Sequence, residues 1–232
     1  MPDNSNFLKL PEGQASRLFL IPSLSPETKK LLQIGSEVIS LERQSLLFSQ
    51  GEEAHYFYLI LSGAVKLLKQ NSTESRNELT VLDILGPGEM IGVALMLSDS
   101  TLQKYPVSAK TLGGTEVLRF SKDFFHQTWT STPELLQFAH KSILKRIECM
   151  QNDRCIQKLT LEQKVAYFMT EKWLASTNAR ITRKDIADCI GASQEAVIRL
   201  LNDWTRKKLV TNNNHEIEIC DIEAIRLLWK SE

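Results

Sequence analysis

The stretch from Ile181 to Val210, ITRKDIADCIGASQEAVIRLLNDWTRKKLV, holds residues whose types and spacing could read a polar surface. Glu195 and Arg199 lie one helical turn apart. Between Arg180 and Lys208, seven basic residues stand against four acids, a local excess of three positive charges. A carboxylate cannot bind phosphate, but it can accept a hydrogen bond from the amino group of a cytosine, and an arginine can fork onto a guanine edge or a neighbouring phosphate. Gln194 can pair with an adenine or contact the backbone. Arg183 and Lys184 open one amphipathic segment, and Lys207 and Lys208 close the next. These four are suited to phosphate contacts. On an isolated helix, Glu195 and Arg199 would be an ordinary i,i+4 surface pair worth roughly a few tenths of a kcal/mol. The elements that carry them decide between the two readings.

Ile186, Ala187, Ile190, Val197, Leu200 and Leu201 fall at the inward positions of two short helices, near 183–190 and 194–207. Gly191 permits a tight turn between them, and Ser193 caps the second. Gln194, Glu195, Ile198, Arg199 and Asn202 are left facing outward. LVTNNNHEIEIC then alternates apolar and polar residues around a triple-asparagine turn, a β-hairpin signal. Helix, glycine turn, helix and hairpin make a winged helix-turn-helix, a motif that puts the amino-terminal half of its second helix into the major groove.

Upstream, Ser25-Pro26-Glu27 starts a helix that Gly35 ends. From Glu37 to about Phe120, short runs (EVISL, SLLFS, YFYLIL, AVKLLK, LTVLDIL, VSAKTL, EVLRF) are separated by glycine, proline and asparagine turns. This pattern predicts an antiparallel sandwich or barrel. Ser121-Lys122-Asp123 opens a short helix, and Thr132-Pro133-Glu134 opens a long one reaching about Ile156. Along it, Leu136, Ala139, Ile143, Ile147 and Met150 recur at 3/4 spacing. Such a seam fits either packing against the β region or, the reading preferred here, a dimer interface. Thr160 to Gln163 form a capping-box pattern for a helix through Trp173, and Asp221 caps a last short helix. The expected chain is α+β, divided at 1–131, 132–158 and 159–232.

Bulk composition excludes more than it assigns. The 232 residues are 42% hydrophobic and 24% charged, with a formal net charge of zero, so total charge names no partner. The amino end MPDNSNFLKLPEGQ lacks a basic start and a continuous apolar core, and no run approaches a membrane span, so a cytoplasmic location is expected. Cys149, Cys155, Cys189 and Cys220 form no C-x-x-C pair, which argues against structural zinc or an iron–sulfur cluster. His55, His126, His140 and His215 are too scattered for the metal site of a jelly-roll enzyme, and no catalytic constellation is visible. A ligand-binding module acting through protein partners would account for the β region but leave the winged motif without a role. Salt-sensitive binding to duplex DNA separates that alternative from a DNA-binding regulator.

The quoted stretch resembles the DNA-binding motif of the cyclic-AMP receptor protein / fumarate-nitrate regulator (CRP/FNR) family. FSQGEEAHYFYLILSGAVKLLK and GPGEMIGVALML resemble the glycine-punctuated pattern of that family's sensor domain, and the resemblance runs from about Leu18 to Trp229. It implies a jelly-roll-like antiparallel β-roll, a long dimerisation helix and a winged helix-turn-helix. It also implies a homodimer on an inverted repeat in double-stranded DNA, RNA polymerase as a protein partner, and a small effector between β-roll and long helix. Glu195 and Arg199 match the base-reading acid and arginine, while Gln194 stands where some members carry arginine. Arg183, Lys184, Ser193, Asn202, Lys207 and Lys208 complete the implied DNA surface. Gly92, Val93, Gln103, Lys104, Tyr105, Arg146, Cys149 and Met150 mark the implied effector pocket. There, Val93 replaces the ribose-binding glutamate, Gln103 and Lys104 replace the arginine–serine pair for the cyclic phosphate, and Cys149 and Met150 replace adenine-contacting hydroxyls. A lysine supplies a point charge but not a bidentate phosphate contact. Cyclic AMP is therefore not expected, nor is there an iron–sulfur or haem signature. An acidic or apolar molecule near Lys104, Tyr105 and Arg146 fits what is left.

Overall fold

Ser25 accepts a hydrogen bond from the Thr28 amide and so caps the first helix, α1 (Pro26–Ile34), with Pro26 at its first turn. The computed structural model describes residues 24–73, 76–97, 103–156, 158–173, 181–213 and 216–230. The strands that follow are β1 (Ser36–Leu41), β2 (Leu46–Phe48), β3 (Tyr56–Ser62), β4 (Val65–Thr73), β5 (Arg76–Leu85), β6 (Met90–Ile91), β7 (Ser108–Thr111) and β8 (Thr115–Ser121). They form two antiparallel four-stranded sheets, in the orders β1-β8-β3-β6 and β2-β7-β4-β5, the jelly-roll-like β-roll expected. β6 and the one-turn helix α2 (Val93–Met96) are not foreseen from the sequence, because elements this short carry no readable period.

The β-roll core is aromatic. Phe57 stacks on Phe120 at 4.9 Å between ring centroids, and the wholly buried Trp129 meets both edge-on at 5.0 and 5.3 Å. The short helix α3 (Lys122–Phe124) and the wider turns to Trp129 deliver that indole, whose Nε1 donates to the Leu135 carbonyl at 2.8 Å. This bond pins the start of the long helix α4 (Pro133–Ile156) to the β-roll.

The 3/4-spaced seam of α4 is divided. Leu135, outside the seam, is wholly buried, as is Ala139, and Ile143 packs against the same core. Leu144, Ile147 and Met150, further along, are exposed. The first half of the helix therefore spends its apolar face on the β-roll, and only the second half presents one outward.

A second core gathers α5 (Leu161–Tyr167) and its wider-turned continuation to Trp173, α6 (Arg183–Ile190), α7 (Gln194–Arg206), the hairpin β9 (Val210–Asn213) and β10 (Glu216–Ile219), and α8 (Ile222–Lys230). Ala64, Ile84 and Leu112 of the β-roll belong to this second core. The carboxyl-terminal unit is thus docked on its own β-roll. Two buried carboxylates clamp the contact: Asp185 of α6 takes the Lys66 ammonium at 2.8 Å, and Asp83 of β5 takes Lys172 at 3.1 Å as well as Arg146 of α4.

Candidate nucleic-acid interface and the adjoining cavity

The geometry of the helix-turn-helix begins with its caps. Thr182 and Asp185 form a reciprocal capping box at the start of α6. Gly191 ends that helix in the left-handed conformation, φ 66°, which lets the chain reverse within a few residues. Ser193 then accepts from the Ala196 amide at 3.3 Å and caps α7, so its hydroxyl serves the helix.

Val197, Leu201 and Trp204 are the buried face of α7, and Trp204 Nε1 donates to Glu162 of α5 at 3.1 Å. With that face anchored, the opposite face is set. Glu195, Arg199 and Asn202 fall on it at i, i+4 and i+7, all exposed, with exposed Gln194 beside them and Ile198 half-buried at the margin. Among the described residues, the side chains of Glu195 and Arg199 have no ion-pair or hydrogen-bond partner, so they do not form the i,i+4 pair.

The cations grouped as phosphate contacts differ from one another. Lys184 and Lys208 are exposed. Lys208 has φ 59°, unusual for a residue other than glycine, where the chain leaves α7 for the wing. Arg183 is half-buried, its Nε shielded and without an acceptor among the described residues. Lys207 is held by Asp203 at 2.8 Å, with Arg206 on the same carboxylate at 3.6 Å. The Lys207 hydrogen bond keeps the Asp203 carboxyl below its ordinary range, and Asp203 in turn raises Lys207. Asp203, partner of the candidate phosphate contact Lys207, is not singled out by the sequence. There it is only one of four acids, although its i,i+4 spacing to Lys207 is an available signal.

Between β-roll and α4 lies a cavity of about 410 Å³. Gly92, Val93, Tyr105, Arg146 and Met150 line it, as the family resemblance implies, together with Phe48, Leu67, Leu85, Met90 and Ile143. Gln103, Lys104 and Cys149 are not among its lining residues. Lys104 is exposed in a bridge with Glu53, and the Gln103 carbonyl accepts from the Ala54 amide at 2.8 Å. Cys189 lies elsewhere, in the second core, where burial pushes its thiol well up. The His215 side chain and that of Cys155 lie outside the described residues. No helix among the described residues is long and apolar enough to cross a membrane.

Residues 38–131 match the cyclic nucleotide-binding domain family, and residues 159–228 match the Crp-like helix-turn-helix domain. The transcriptional regulatory protein btr of Bordetella pertussis is 24% identical over 216 residues, covering 89% of this chain and 86% of that protein. The CRP-like cAMP-activated global transcriptional regulator of Mycobacterium tuberculosis is 20% identical over 220 residues, 90% of this chain and 96% of the relative. The structure of FixK2 from Bradyrhizobium japonicum shares the fold with a TM-score of 0.70 at 17% identity, over 85% of this chain and 98% of that one. With a cyclic-nucleotide-type β-roll followed by a Crp-like helix-turn-helix along nearly the whole length of such relatives, the chain belongs to the CRP/FNR family of transcription regulators, a family of DNA-binding proteins and not of enzymes.

Proposed function

We propose that this regulator acts as a homodimer on an inverted-repeat site in duplex DNA. In each half-site, Glu195 accepts from a cytosine amino group and Arg199 forks onto a guanine edge or an adjacent phosphate. The observation that carries the reading is the exposed, unpaired stripe of Glu195, Arg199 and Asn202 on a helix whose opposite face is anchored by Trp204. Gln194 extends the stripe, and Arg183, Lys184, Lys207 and Lys208 flank it for phosphate contact. The exposed Leu144, Ile147 and Met150 of α4 supply a two-fold contact between protomers, and RNA polymerase is the protein partner that the family implies. Control rests with a small effector in the cavity beside α4. Cyclic AMP is not that effector: Val93 stands where the family binds ribose, and Arg146, a cation lining the cavity, already holds Asp83.

Selection of bound sites from random duplexes tests this directly. The enriched sequences should be inverted repeats with half-site centres about 34 Å apart. Direct repeats, single half-sites or no enrichment at all would count against the dimeric reading.

A further inference from the structure

We infer that the cavity between β-roll and α4 binds an uncharged, predominantly apolar small molecule. The inference rests on the proposed effector control and specifies its chemistry. At about 410 Å³ the cavity is of the size that holds a small ligand. Its wall is Phe48, Leu67, Leu85, Met90, Val93 and Ile143, side chains with no hydrogen-bond donor and no acceptor stronger than a thioether. Tyr105, Ser142 and Arg146 are the polar side chains among the lining residues.

Two of those three are committed elsewhere. The Tyr105 hydroxyl donates to the Tyr56 carbonyl at 2.5 Å while its ring stacks on Phe48, centroids 3.7 Å apart. The Arg146 guanidinium is paired with Asp83, whose carboxylate is itself buried and shared with Lys172. Turning Arg146 towards an anionic ligand would leave Asp83 with one cation in place of two, a cost that opposes acidic occupants. Lys104, the other cation considered for this pocket, is exposed outside the lining. An anion would find no uncommitted cation on the wall, whereas an apolar molecule would gain burial against the β-roll and α4. The hydroxyl of Ser142 remains to orient one polar group of the occupant.

The probe for the test is N-phenyl-naphthylamine, an uncharged fluorescent aromatic, titrated into the full-length protein. Saturable emission with one site per protomer is expected, together with a rise in melting temperature. Val93→Phe and Ile143→Phe each add apolar bulk inside the cavity and should weaken the probe by about tenfold or more, with far-UV dichroism reporting that each variant is folded. The sulfonated analogue anilinonaphthalene sulfonate should bind about tenfold more weakly than the neutral probe, and excess cyclic AMP should not displace it. Undiminished binding to both folded variants would put the dye on the exposed residues of α4 and overturn the inference. So would preference for the sulfonate, displacement by cyclic AMP, or no saturable binding to the wild type. Salt-dependent duplex binding is measured on the same sample. Its loss with probe binding intact would sink the regulator reading alone, and its presence without probe binding would sink this inference alone.

Discussion

Glu195 stands on the exposed face of α7 with no cation partner among the described residues, and that isolation makes its proposed contribution measurable. Brought into a groove of negative potential, an unpaired carboxylate is tolerable only where a base amino group meets it, and cytosine supplies one. Glu195→Ala should therefore cost about 1–3 kcal/mol per half-site on the selected sequence and much less on sequences changed at that base pair, with the salt slope nearly constant. Fluorescence anisotropy on matched and single-base-changed duplexes reads this, and equal weakening on all of them would remove Glu195 as a reader. The lysines are proposed to act through phosphate, and the Asp203 ion pair divides them. Lys208→Ala should lower the salt slope by about 0.9 for each phosphate it no longer neutralises. Lys207→Ala should lower it by less, because Asp203 already neutralises part of that ammonium at 2.8 Å. Asp203→Asn, which releases Lys207, should tighten all duplexes alike and steepen the slope. A sequence-dependent effect of Asp203→Asn would show that it touches a base.

At the scale of elements, α4 packs on the β-roll along its first half and is proposed to carry the two-fold contact along its second, and substitutions in its two halves should separate them. Ile147→Glu on the exposed half should shift the protein towards monomer in light scattering while the β-roll stays folded. An unchanged dimer would take this part of the helix out of the interface. Ile143→Glu reaches the β-roll core instead and should destabilise the fold, since it forces a charge against apolar neighbours. The turn between α6 and α7 has a different vulnerability. A Cβ on Gly191 would meet nothing within 4 Å, so Gly191→Ala should cost only the strain of the left-handed backbone, about 1–2 kcal/mol. Thermal melting reads that cost. A larger loss would mean that the turn also packs against something.

Over the whole molecule, the decisive contact is the docking of the helix-turn-helix unit on its own β-roll through Lys66 and Asp185. Both side chains are buried, so removing Lys66 leaves the carboxylate only the Thr182 hydrogen bonds and Arg43, 3.7 Å away, and removing Asp185 takes the carboxylate from Lys66. Lys66→Met should destabilise by about 3–5 kcal/mol in chemical denaturation, and Lys66→Met combined with Asp185→Asn should recover much of it. An equal loss in both would show that the pair is not coupled. Burial raises the Asp185 carboxyl, but the Lys66 and Thr182 hydrogen bonds outweigh it, and the folded value lies below the ordinary 3.8. A depressed carboxylate contributes stability that is full above the unfolded value and is lost as pH falls through the folded one. Acidification below the ordinary carboxylate range should therefore loosen the docked unit, seen as faster hydrogen exchange in α6. Asp185→Asn should show no such step.

The helices of the winged motif, the turn at Gly191, the caps at Ser193 and Asp221 and the main strand runs were legible in the sequence, because each depends on backbone hydrogen bonds and apolar periodicity within a few residues. The shared exposure of Glu195, Arg199 and Asn202 was legible for the same reason: they share a face of any helix that buries Val197, Leu201 and Trp204. Tertiary structure alone decided which half of α4 the β-roll covers, since Ala139, Ile147 and Met150 share one apolar seam, yet Ala139 is buried and the other two are exposed. It alone paired Lys66 with Asp185 across 119 residues and Arg146 with Asp83, turning a supposed effector ligand into part of a clamp. No local pattern encodes such pairs, because the energy of a buried charge depends on which partner the folded chain brings within reach, and that partner is set by the packing of both cores together.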